Sequence, residues 1–141
     1  MSRMQRNKGA RGEREFFGLL SDYLGSCVRR NVDQARKGGA DGIEVPGWAI
    51  EVKRHERGFR SEWWEQACEQ ADLHFRIPAL AYRASRQPWR VRVPLSVFTG
   101  NMDSLWCELN LDGFALVVRE NLADGWLKFI QSAGNAQGQI A

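Results

Sequence analysis

Three carboxylates and one ammonium stand out in this sequence: Glu13, Asp41, Glu51 and Lys53. Cutting a phosphodiester in water requires charge neutralisation on the phosphoryl oxygens, an activated water and help for the departing 3′ oxygen. Hard divalent cations held by two or three carboxylates supply most of this. Asp41 opens one expected strand and Glu51 sits in the next, so both carboxylates reach one cation at the open end of a sheet. Lys53 follows Glu51 at the strand period of two, on the same face, where it meets the scissile phosphate or the attacking water. Glu13 rises from the apolar stripe of the first expected helix. An inward carboxylate is costly there without a partner or a metal. Each residue also has a plainer reading. Glu13 suits a helix N-terminus, Asp41 suits a turn after Gly38-Gly39, and Glu51 with Lys53 makes an ordinary charge pair on a solvated face.

The remaining composition narrows the chemistry. The chain has 141 residues, 43% hydrophobic and 26% charged, which suits one globular domain with a buried core. Its net charge of +3 says little, but the charge is unevenly placed. Residues 1–100 carry 18 basic against 12 acidic side chains, and residues 101–141 carry 2 against 5. Of the 20 cations, 16 are Arg, whose planar fork suits phosphate oxygens. The three cysteines, Cys27, Cys68 and Cys107, form no CxxC pair, and the two histidines, His55 and His74, are isolated. Neither a disulfide framework nor a zinc site is indicated, so any metal falls to the carboxylates. No apolar run approaches the roughly 20 residues of a bilayer span, and the N-terminus lacks the apolar stretch of a signal peptide. A soluble, cytoplasmic protein with no membrane partner is expected.

The elements must bring those four residues together. Residues 1–10 read as a basic flexible arm, 11–130 as the single folded domain and 131–141 as a disordered tail. A helix is expected from Arg11 to Leu24, since Phe16, Phe17, Leu20 and Leu24 fall within about 60° of Glu13 on the helical wheel. Glu15 points the other way. A short strand over Cys27–Val32, a loop over 34–40, and a hairpin of Asp41–Val45 with Trp48–Lys53 around Pro46-Gly47 follow. Ser61 reads as the N-cap of a helix reaching Phe75, with Trp64, Ala67, Cys68, Ala71 and Phe75 as its core stripe. Strands are expected over Ile77–Tyr82 and Trp89–Val93, a helix over Leu95–Trp106 and a strand over Phe114–Val118. This is an α/β sandwich with a mixed sheet.

The stretches Lys8-Gly-Ala-Arg-Gly-Glu13-Arg-Glu-Phe-Phe, Lys37-Gly-Gly-Ala-Asp41-Gly-Ile and Ile50-Glu51-Val-Lys53 resemble the PD-(D/E)XK nuclease superfamily. More narrowly, they are similar to archaeal and phage-type Holliday junction resolvases, whose first helix begins KG…ERE and whose core carries GAD…EVK. The resemblance spans roughly residues 8–94 and departs from the nominal motif at Ala40, where Pro is usual. It implies a restriction-endonuclease-like core, a central mixed sheet flanked by helices in α-β-β-β-α-β order. It implies Asp41 and Glu51 as metal-binding carboxylates, Lys53 as the catalytic lysine, Glu13 as the first-helix glutamate and Val52 as the donor of a backbone carbonyl to the metal. The cofactor would be Mg²⁺, with Mn²⁺ able to substitute, and the substrate branched or duplex DNA. Lys8, Arg11, Arg36, Lys37, Arg54, Arg57 and Arg60 are placed to hold phosphates, as are Arg83, Arg86, Arg90 and Arg92. Trp63 lies off its helix's apolar stripe, suited to stacking on an unpaired base or to a subunit interface, and Gln66 with Gln70 resembles a glutamine motif of related exonucleases. Resolving a four-way junction in recombination or repair calls for two active sites and so a two-fold homodimer. Other readings on the same scaffold are a restriction-like, repair or exonuclease enzyme, or a DNA-binding module without catalysis.

Overall fold

The computed structural model describes residues 3–24, 45–101 and 103–121, with the side chains of 5–8 excepted. The expected strand 27–32, the loop 34–40, the first hairpin strand as far as residue 44 and the tail 131–141 lie outside the described residues, and with them Arg36, Lys37 and Asp41. The described chain runs α1 (Arg3–Leu24), β1 (Trp48–His55), α2 (Ser61–Leu73), β2 (Ile77–Ala84), β3 (Arg90–Pro94), the single turn α3 (Ser96–Thr99), β4 (Trp106–Asn110) and a helix α4 over 111–121.

The four strands form one mixed sheet in the order β1-β2-β3-β4. β1 and β2 are parallel, with Trp48 opposite Ile77 and Lys53 opposite Tyr82, and α2 makes the crossover between them. β3 and β4 add antiparallel, Val91 facing both Ala81 and Leu109. The sheet is entered through the turn at Pro46-Gly47, where the Trp48 N–H donates to the Val45 carbonyl at 3.0 Å. Gly47 takes φ of 84°, which a proline-glycine pair supplies without strain.

Alternation gives the sheet two unlike faces. Trp48, Ile50, Ala79, Ala81, Val91 and Val93 point to one side and join Phe16, Phe17 and Leu20 of α1 and Leu111, Phe114, Ala115 and Val118 of α4 in a dry core. Phe16 is its hub, with ring centres of Trp89 at 5.2 Å, Phe17 at 5.4 Å and Phe114 at 6.3 Å. Burying each of these large side chains contributes about 2 kcal/mol. Gly12 lets α1 lie close on β1, because a Cβ there would stand 3.0 Å from that of Arg54. The opposite face carries α2, which packs along β2 and β1 with Ala67 and Ala71 buried.

The sequence reading is corrected at several places. The helix begins at Arg3, so residues 3–10, read as an arm, are helical. Arg, Gln and Lys are good helix formers even without apolar periodicity. The helix expected over Leu95–Trp106 is a single turn. Gly100 in the left-handed region ends it, and the side chains of Thr99 and Asp103 cap the N–H groups of Asn101 and Leu105 to turn the chain into β4. The strand expected over Phe114–Val118 is helical. Leu111, Phe114, Ala115 and Val118 are a helical stripe, and Asn110 Oδ1 accepts from the Gly113 N–H at 2.7 Å as an N-cap. Arg60, not Ser61, is the N-cap residue of α2. Phe75, expected in the core, is 98% exposed. It occupies the left-handed position just past α2, at φ of 54°, while the Arg76 N–H donates back to the Ala71 carbonyl at 2.9 Å.

Candidate active site

β1 positions two of the candidate residues. Glu51 and Lys53 project from the sheet face that carries α2, beside Leu80 and Tyr82 of β2, and both are half-buried. Val52 points the other way and packs against the core, so only its backbone is available on the Glu51 side. Glu13 sits one residue beyond Gly12, where α1 meets β1 at Arg54, and is also half-buried. β1 thus brings Glu51 and Lys53 together, and α1 sets Glu13 against the same strand from its other face. Among the described residues no three His, Cys, Asp or Glu side chains gather as a metal cage, and the expected set includes Asp41, which lies outside them.

Glu15 is not turned away from the domain as the helical wheel suggested. Its carboxylate pairs with the Arg83 guanidinium, accepts from the Trp89 indole N–H at 3.2 Å and stands 3.8 Å from Arg54. The wheel ignored Gly12, whose burial rotates the packed stripe toward Glu15. No apolar signal could have shown this. Arg54 is consequently part of the strand, not of the following loop, and faces α1.

The remaining cations divide. Arg11, Arg57 and Arg60 are exposed, as the phosphate-binding expectation requires, and the backbone at Lys8 lies in α1. Arg86 is exposed in the β2–β3 turn, and Arg90 is exposed with Glu108 at 3.7 Å. Arg92 does not fit the expectation. It is 7% exposed, its guanidinium lies 3.4 Å from the ring centre of Trp106 and 4.1 Å from that of Phe59, and it donates to Glu108 at 2.8 Å. Burial alone would raise the Glu108 carboxyl. Hydrogen bonds from Arg92 and Tyr82, with the charges of Arg92 and Arg90, outweigh it and hold the group below its ordinary range. On the other side of that bond, burial first and then the Glu108 carboxylate push the Tyr82 phenol up to about 12, so it stays a donor. Gln66 and Gln70 are exposed on α2.

Sequence reading also missed an aromatic hollow next to Lys53. His55, Phe59, Trp63 and Tyr82 wall a cavity of about 120 Å³ beyond the C-terminal ends of β1 and β2. Only Trp63 had been singled out, because the other three are spread over a loop and two strands.

A family model described as "Phage putative PDDEXK endonuclease" matches residues 4–106, a span that includes Glu13, Asp41, Glu51 and Lys53. No curated protein and no solved structure matches the chain. Among the described residues, no helix is long and apolar enough to cross a membrane.

Proposed function

This chain belongs to the phage PDDEXK endonuclease family, and on that premise we propose that it is a Mg²⁺-dependent, structure-selective DNA endonuclease that resolves four-way junctions as a two-fold homodimer. The observation that carries the reading is the placement of Glu51 and Lys53 side by side, half-buried on one face of β1. Asp41 and Glu51 would hold the cation, helped by the Val52 carbonyl, since hard oxygen donors suit Mg²⁺ and also Mn²⁺. When bound, the metal supplies charge neutralisation at the phosphoryl oxygens and a more acidic water. Lys53 donates to the phosphate as charge develops on it, and Glu13, on α1 across the other face of β1, supports the site only through the strand that α1 packs on. Arg11, Arg57 and Arg60 hold neighbouring phosphates, so binding weakens steeply with salt. Exposed Phe98, Leu105 and Trp106 offer apolar surface for a second copy near β4.

Labelled four-way junction, duplex and single strands, incubated with Mg²⁺, Mn²⁺ or EDTA, test the reading. Junction cleavage by the wild type, lost in Asp41→Ala and Glu51→Ala while junction binding persists, is expected. Cutting of duplex at one sequence would instead assign a restriction-like role. An absence of metal-dependent cleavage on every substrate would overturn the catalytic reading. Sedimentation should give a dimer mass.

A further inference from the structure

We propose that the aromatic hollow beyond β1 and β2 is a binding pocket for one unpaired nucleobase of the DNA strand held at Lys53, an inference that rests on the nuclease reading above. Its position ties it to the site. His55 follows Lys53 on the same face of β1, and Tyr82 is Lys53's register partner on β2. A strand whose phosphate lies at Lys53 therefore has this hollow within reach of an adjacent base.

The walls are π surfaces held from behind. Trp63 packs at 5.2 Å from His55 and 5.8 Å from Phe59, and Phe59 at 4.9 Å from Tyr82, measured between ring centres. Arg92 stacks on Phe59, and Tyr82 is tied to Glu108. The Arg57 N–H donates to His55 Nδ1 at 2.9 Å, which fixes that ring and places the proton of the neutral imidazole on Nε2. Little rotamer freedom remains to be lost when a flat ligand enters. Four half-buried aromatic groups around an open hollow would be an odd core, but they make a serviceable stacking platform.

The mouth is polar and cationic. Gln87 and Arg90 line it, and Arg57 and Arg60 stand exposed on the loop between β1 and α2, while the Arg83 guanidinium is turned to Glu15 of α1. An amide can read a base edge, and guanidinium groups hold the phosphates on either side. A paired base must first be unstacked and unpaired, whereas one at a junction or gap has already lost part of that stability. The pocket would thereby convert base stacking into a preference for branched over continuous duplex, with no sequence reading required.

The test combines crosslinking with affinity. DNA carrying 5-iodouracil at single positions around the branch of a junction is irradiated with the protein in EDTA, and crosslinked peptides are identified by mass spectrometry. Adducts on Trp63, Phe59, Tyr82 or His55 are expected from unpaired positions. Adducts confined to other residues would overturn the pocket. In parallel, the ratio of junction to duplex affinity, read by fluorescence anisotropy, should fall about tenfold in Trp63→Ala and be largely restored in Trp63→Phe, which keeps a ring. An unchanged ratio in a folded Trp63→Ala, checked by circular dichroism, would also overturn it. The two readings fail differently. Pocket adducts without Mg²⁺-dependent cleavage would sink the nuclease and leave the pocket, and cleavage with no adducts and an unchanged ratio would do the reverse.

Discussion

The two faces of the sheet are built from different materials. The face under α1 and α4 is closed and dry, with Phe16, Leu20, Val91, Val93 and Phe114 at 0% exposure. The face under α2 is covered only in part. Glu51, Lys53, Tyr82 and the rings around the hollow are half-buried there, and Arg92, the one deeply buried charge among the described residues, is sandwiched between rings and paired to Glu108. One strand, β1, serves both faces through simple alternation. Stability and chemistry can therefore be changed separately at adjacent residues.

Substitutions should expose that division. Phe16→Ala, which empties the hub of the dry face, should cost about 3–5 kcal/mol in urea unfolding. If it cost under 1 kcal/mol, the closed face would not be the main source of stability. Lys53→Ala should slow cleavage of labelled junction by at least about 10²-fold, with a melting temperature close to wild type. A large loss of stability there would break the separation. The polar cluster gives a pH signature. Glu108 has a folded pKa below its ordinary 4.5, so its contribution is present above that value and fades as pH falls through the lower folded one. Tyr82, folded near 12 against an ordinary 10, contributes below pH 10 and loses that contribution as pH rises toward 12. Unfolding measured across pH should show both limbs, with the acid one flattened in Glu108→Gln and the alkaline one in Tyr82→Phe. The smallest effect belongs to Phe75→Gly, which should stabilise by about 1 kcal/mol by removing a side chain from a left-handed position. A destabilised variant would show that the exposed ring contributes to the fold.

Much of this organisation is legible in the sequence. The helix carrying Phe16 and Leu20, the placement of Glu51 and Lys53 on one strand face and the helix α2 all follow from periodicities of 3.6 and 2. What failed has common physical causes. Phe114-Ala-Leu-Val-Val118 looks like a strand because β-branched residues crowd it, but burial of every third or fourth residue and the Asn110 cap decide for helix. Glu15 was misplaced because its orientation depends on Gly12, a residue without hydrophobicity whose small size governs how α1 lies. The hollow was invisible because its rings come from a strand end, a loop, a helix and a second strand, and Tyr82 joins the other three only after β1 and β2 pair.

That pairing also has a kinetic meaning. Trp48 meets Ile77, so the ladder that holds Glu51 and Lys53 forms between residues about thirty positions apart, and the entropy of closing that loop is spent before any ladder bond rewards it. The strand that holds Glu51 and Lys53 cannot form as a local unit and depends on α2 docking at the same time. Its amides should therefore be among the slowest to exchange with solvent, opening only when the whole domain opens.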